Sequence, residues 1–209
     1  MVYARSAFRR LFDFILLPLF FVVFVGVIHA SELSPDVIIQ TAVEDVIDLM
    51  RLDQGDEAGK RGRAITYIED KLSPHIDYEK MMRQAMGRNW RLATEVERAV
   101  LTEQFQALLV NAYAGLFLAN KDQPMTYMAP RMRSGTDVAI PIIVSLDTGG
   151  TLSMVIFMER TALGWMAYNI EIEHVSIVLA YQSNFRDEVS RGGISGLINT
   201  LKRKNSRTP

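Results

Sequence analysis

The spacing of apolar residues changes once along this chain, near Asn120, and that change restricts the fold more than any other feature. Upstream, the spacing is helical. Thr94-Glu95-Val96-Glu97 is a capping box, in which the threonine and the glutamate three residues on satisfy each other's free backbone donors. Leu101, Phe105, Leu108, Leu109, Ala112 and Leu116 then recur at i, i+4, i+7, i+8, i+11 and i+15, one apolar face of a long helix. Three shorter helices are predicted before it. The first starts at Ser34-Pro35, the second spans Arg61 to Lys71, and the third runs from Tyr78 to Trp90 and carries Met81, Met82, Ala85 and Met86. Downstream, Met125–Ala129, Asp137–Leu146, Thr151–Glu159 and Trp165–Ile172 are short, β-branched and partly alternating, as strands are. Turn sequences at 147–150 and 161–164 favour an antiparallel meander. Helical spacing returns over Ile177–Val189 and Ile194–Lys204. Helices, then a meander, then helices again predict one α+β domain.

The first thirty residues read as an address label. Arg5, Arg9 and Arg10 precede an almost unbroken apolar run from Phe14 to Ile28, and Ile28-His29-Ala30 closes it with a small residue. That is the layout of a secretory signal peptide, with cleavage expected after Ala30. A retained anchor is the alternative, but the run is short for a span and Pro18 interrupts it. The segment holds six of the ten Phe but only one of the eleven Met, together with three Arg and one Asp. The expected mature domain, residues 31–209, is therefore Met-rich, Phe-poor and mildly acidic.

Catalytic chemistry finds little foothold. With no cysteine there is no disulfide, thiolate metal site or cysteine nucleophile, and a net charge of −1 gives no electrostatic reason for a nucleic-acid partner. His75 falls in a helix-to-helix connection and His174 just past a strand, both read as structural or solvated. No nucleophile elbow, phosphate-binding loop or zinc-binding histidine pair occurs. Glu171 and Glu173 share a strand face that solvent exposure explains, and Lys202-Arg203-Lys204 reads as a solvated tail. No metal or cofactor is expected. The methionines say more. Met81, Met82 and Met86 on one helix, with Met154, Met158 and Met166 on strands, could be a plain core or a surface that refits flexible chains. Periodicity does not separate a core wall from a pocket wall.

Three stretches, taken in order, carry a family resemblance. Ile76-Asp77-Tyr78 through Met86-Gly87-Arg88-Asn89-Trp90-Arg91 resembles the "hydrophobic-Asp-aromatic … Gly-x-x-Trp" segment of the MlaC, or toluene-tolerance auxiliary, family. Phe105 to Ala114 resembles its "F-x-x-L-L-x-x-x-Y-A" helix. Trp165–Ile170, Val175-Ser176, Tyr181–Phe185 and Gly193–Ile198 resemble its C-terminal signature. The chain departs from the family at His174, where glycine is frequent, and at Gln182, where an arginine often follows the tyrosine.

The resemblance implies an exported periplasmic protein whose helices pack on a curved antiparallel sheet and enclose an apolar lipid pocket. It implies a non-enzymatic shuttle for glycerophospholipid. Its partners would be an inner-membrane ABC transporter complex with its MCE-domain subunit and an outer-membrane lipoprotein complex. A module that bridges transporter components without a cavity is the alternative. By phase, the implied pocket would be lined by Met82, Met86, Leu101, Phe105, Leu108, Leu109, Ala112, Met154, Ile156, Met158, Tyr168 and Ile170. Trp90 and Trp165 would be packing anchors, and Arg88, Arg91 and Lys121 would stand at the mouth.

Overall fold

Ser34 and Pro35 open the first helix, α1 (Pro35–Leu52), with proline at a position whose N–H needs no partner. These come from a computed structural model, which describes residues 33–206; the expected signal peptide lies outside the described residues. Ile39, Val43, Val46, Ile47 and Met50 form the buried stripe of α1. The following loop is closed by Arg63, whose Nε donates to both Asp53 carboxylate oxygens at 2.8 and 2.9 Å and whose Nη2 donates to the Asp56 carbonyl at 2.8 Å. Glycines beneath this guanidinium leave it the room it occupies. A Cβ on Gly55 or Gly59 would sit 2.3 or 2.4 Å from its atoms.

The second helix, α2 (Lys60–Tyr67), runs on through a π turn over Ile68–Leu72 and a 3-10 turn over Ser73–His75. Asp77 caps α3 (Tyr78–Met86) by accepting the Lys80 N–H at 2.8 Å. The third helix stops short of the expected Trp90. Gly87 takes φ 55, a left-handed value suited to glycine, and the chain continues as a 3-10 turn to Leu92. The predicted capping box is present at the start of α4 (Glu95–Asn120), with Glu97 N–H to Thr94 Oγ1 at 3.3 Å and Thr94 N–H to Glu97 Oε2 at 2.9 Å.

The second half forms an open antiparallel sheet of β1 (Met125–Tyr127), β2 (Arg131–Ser134), β3 (Asp137–Ser145), β4 (Thr151–Thr161), β5 (Gly164–Ile172) and β6 (Val175–Ser176). The order is β1-β3-β4-β5-β6, a meander, with β2 also on β3. Strands β1 and β2 lie end to end along one edge of β3, and Pro141 explains the break between them. Its carbonyl accepts the Met128 N–H at 2.9 Å, so its missing N–H faces the same edge. Pairing stops at Tyr127↔Ile142 and resumes at Arg131↔Ala139. The expected strand Met125–Ala129 is therefore shortened, and β2 is an element the alternation did not reveal.

A register shift separates Phe157↔Asn169 from Met158↔Ala167, which leaves Tyr168 as the extra residue of a bulge in β5. Beside it the Ala167 carbonyl accepts the Asp77 N–H at 2.8 Å, tying the start of α3 to the sheet edge. The last helix, α5 (Ile177–Asn205), is capped by Ser176 and interrupted at Gly193, with φ 65 and ψ −165. The two helical stretches expected near the C-terminus are thus both present, one on each side of the kink at Gly193. The helical layer meets the sheet chiefly along β5, through α3 and α5. The fold is α+β.

Candidate functional site

With the helices meeting the sheet chiefly along β5, the middle of the sheet stands off from them, and an apolar cavity fills the gap. About 1080 Å³ of space outside atoms lies within it, the open mouth and the solvent in it included. The sheet wall consists of Met125, Ile142, Val144, Leu152, Met154, Ile156, Ala167, Ile170 and Ile172. Opposite stand Ile39 and Val43 of α1, Ile68, Leu72 and Ile76 of the turns that follow α2, Tyr78 and Met81 of α3, and Ile177 of α5. Helix α4 supplies Leu109, Val110, Tyr113, Leu116, Phe117 and Asn120. No charged side chain lines this space among the described residues.

Burial locates the mouth. Ile39, Met81, Ile142, Val144 and Ala167 are buried at the floor. Tyr113, Leu116, Phe117 and Asn120 on α4, and Leu152, Met154, Ile170 and Ile172 across from them, are only partly covered. The cavity therefore opens between the C-terminal half of α4 and strands β4 and β5. At its rim Glu173 and His174 form the turn from β5 to β6 with φ 49 and 64, so His174 itself takes the left-handed conformation that glycine favours.

Of the twelve residues that the phase argument placed on a pocket, Leu109, Met154, Ile156 and Ile170 line this cavity. The other eight lie elsewhere. Leu101 and Phe105 are fully buried, and the Phe105 ring packs edge-on against Tyr181 and Phe185 of α5, with centroids 5.4 and 5.6 Å away. Leu108 is partly buried against the core and Ala112 is exposed. The reason is geometric. The inward row of α4 is Leu101, Phe105, Leu109, Tyr113 and Phe117, and each four-residue step overshoots a full turn by about 40°. Four steps rotate the row by about 160°, from facing α5 to facing the sheet, so Val110 and Tyr113 take the places assigned to Leu108 and Ala112.

On α3, Met82 and Met86 are buried but lie outside the cavity wall, while Tyr78 and Met81 line it. Met158 is fully buried beyond the cavity, paired with Ala167. Tyr168 is carried to the other face by its bulge. There its hydroxyl bonds both Asp137 carboxylate oxygens at 2.9 and 3.0 Å, and Lys80 Nζ lies 3.9 Å from its ring centroid. Lys80 also pairs with Glu159. Among the proposed mouth residues, Lys121 adjoins Asn120 but pairs with Asp122 at 2.9 Å, whereas Arg88 and Arg91 are exposed after α3 and off the lining. Trp90 is buried, with Arg98 stacked 5.4 Å from its ring.

The phenols in and near the wall stay protonated. Burial pushes Tyr78 up to about 12, the Ser73 hydroxyl 2.9 Å away opposing it, and burial likewise raises Tyr113 and Tyr181. Among the described residues no group of His, Asp and Glu is arranged to hold a metal ion, and no helix is long and apolar enough to cross a membrane. What the arrangement can do chemically is withdraw hydrocarbon from water.

The chain is similar to a phospholipid-binding protein from Ralstonia solanacearum whose structure was solved in complex with a phospholipid. The two are 27% identical, with a TM-score of 0.76 over 84% of this chain and 99% of the other. The family model described as MlaC protein matches residues 40–203, most of the described domain and all the strands. The chain belongs to the MlaC family.

Proposed function

We propose that this chain is a non-enzymatic periplasmic carrier that binds a glycerophospholipid by burying its acyl chains between α4 and the sheet. The observation that carries this reading is the cavity, open at one side and walled almost wholly by carbon. Each methylene withdrawn from water contributes about 0.8 kcal/mol. Ten of them contribute about 8 kcal/mol, within the roughly 4–15 kcal/mol that association costs in lost freedom. Chains of membrane length are therefore needed for affinity, and no fixed charge is. Leu109, Met154, Ile156 and Ile170 would contact the chains, joined by Met81, Val110, Tyr113, Phe117 and Ile142. The solved relative with its bound phospholipid supports the same reading.

Family membership supports a place in an ABC-type lipid transport system, the cargo passing between an inner-membrane complex with an MCE-domain subunit and an outer-membrane lipoprotein complex. Transfer of a fluorescent phospholipid from donor to acceptor vesicles tests the carrier step. The purified mature protein should raise the transfer rate in proportion to its concentration. An unchanged rate, with protein of native stability, would favour a module that bridges components without carrying lipid.

A further inference from the structure

The tyrosines of the domain differ in what their hydroxyls touch. Tyr78 bonds Ser73, Tyr168 bonds Asp137, and Tyr127 points its hydroxyl at the Met125 sulfur 3.9 Å away. Tyr67, Tyr113 and Tyr181, all partly buried, have no hydrogen-bond partner among the described residues. The last two lie within electrostatic reach of each other. Tyr113 lines the cavity on the partly covered stretch of α4. Tyr181 lies one turn beyond Ile177, itself a cavity residue, and its ring is held edge-on to Phe105 at 5.4 Å and tilted on Phe185 at 5.4 Å. Charge on Tyr113 would oppose ionisation of Tyr181, which places the two phenols in each other's field.

Two O–H donors without protein partners, Tyr113 in the wall of an apolar cavity and Tyr181 one helical turn from it, suit a ligand whose oxygens begin where its hydrocarbon ends. No lysine or arginine lines the space, so nothing there balances the charge of a phosphate. Neutral carbonyl oxygens fit better. Resting on the phospholipid reading above, we propose that Tyr113 and Tyr181 form a polar subsite that donates hydrogen bonds to the ester carbonyls joining the acyl chains to glycerol. The pair would set how deep the chains enter and would select ester-linked over ether-linked lipid.

The test compares a diester phosphatidylglycerol with its diether counterpart of equal chain length, each displacing a fluorescent phospholipid from the mature protein and from the Tyr113→Phe/Tyr181→Phe double variant. Phenylalanine keeps both rings and their packing. The parent should bind the diester about tenfold more tightly, and the double variant should bind the two lipids equally. Equal, tight binding of both lipids by the parent would overturn the subsite while leaving the carrier reading intact. An ester preference that survives in the double variant would also overturn the assignment to these tyrosines. Failure of the parent to bind either lipid would contradict the carrier reading and the subsite together.

Discussion

Thr200 Oγ1 donates to Glu188 Oε2 at 2.9 Å, although twelve residues separate them. In a straight helix that separation would span about 18 Å. The bend at Gly193 therefore folds the last helix back on itself, which brings Asn205 Nδ2 to the Gln104 carbonyl at 2.9 Å and closes the end of the helical layer over α4.

The bend depends on one residue. With φ 65 and ψ −165, Gly193 occupies a region that is nearly closed to side chains. A Cβ there would meet no neighbour within 4 Å, so only backbone strain is at stake. Gly193→Ala should lower stability by about 1–3 kcal/mol in urea unfolding. Gly192→Ala, with equal space and no left-handed angle, should be close to neutral. Similar losses in both variants would mean that the bend is not set by this backbone angle.

Alkaline stability reports on the phenols. Tyr78 and Tyr168 are both raised to about 12, burial being the main cause in each and Asp137 adding to it in the second. A raised phenol favours the folded state while protonated. Its contribution is complete below the ordinary value of about 10 and is lost as pH climbs from 10 towards 12. Unfolding free energy should accordingly fall over that interval, by about 2–3 kcal/mol for the deeply buried Tyr78 alone. Tyr78→Phe should remove that share of the slope; an unchanged alkaline slope in the variant would contradict the assignment.

Acid acts at the other end of the fold. The Arg63 hydrogen bond, helped by the Gly55 N–H, holds the Asp53 carboxyl below its ordinary value of 3.8. A depressed carboxyl stabilises the folded state above its unfolded value and stops doing so as pH drops through its folded one. The loop between α1 and α2 should thus loosen only below about pH 3.8. Asp53→Asn should flatten that part of the acid profile in thermal melts, and Gly55→Ala, which displaces Arg63, should do the same. Parallel acid profiles in parent and variants would show that the pair contributes nothing.

Cavity wall and filled core should respond oppositely to substitution. Met154 stands at the partly open side of the cavity, so Met154→Trp should occupy lipid space and abolish most phospholipid binding, with a stability change under about 1.5 kcal/mol. Phe105 is wedged between Tyr181 and Phe185, and Phe105→Ala should cost about 3–5 kcal/mol while the folded fraction still binds lipid. Calorimetry paired with a fluorescent-lipid titration distinguishes the two. A reversed pattern would place the lipid among the helices instead of against the sheet.

Element types were legible in the sequence because they follow from local spacing: the capping box at Thr94, the alternation along β4 and the change of period near Asn120 all hold in the structure. Positions of side chains around those elements were less legible. The alternation Tyr168, Ile170, Ile172 is regular in sequence, yet the bulge at Tyr168 is set by pairing with β4 and by the chain crossing at Asp77, which are not local. On α4 the inward row drifts around a long helix, and only its two different neighbours, α5 and the sheet, reveal where it points. Pro141 did carry a readable signal, since a proline within a strand implies an edge without a donor. Tyr113, named only within a motif, gained a cavity position from the fold.

The central claim, that the space between α4 and the sheet holds phospholipid, is tested most directly by mass spectrometry of an organic extract of the protein gently isolated from its native host. A near-stoichiometric amount of glycerophospholipid is expected, falling sharply in the Met154→Trp variant. Folded parent protein that yields no phospholipid would contradict it.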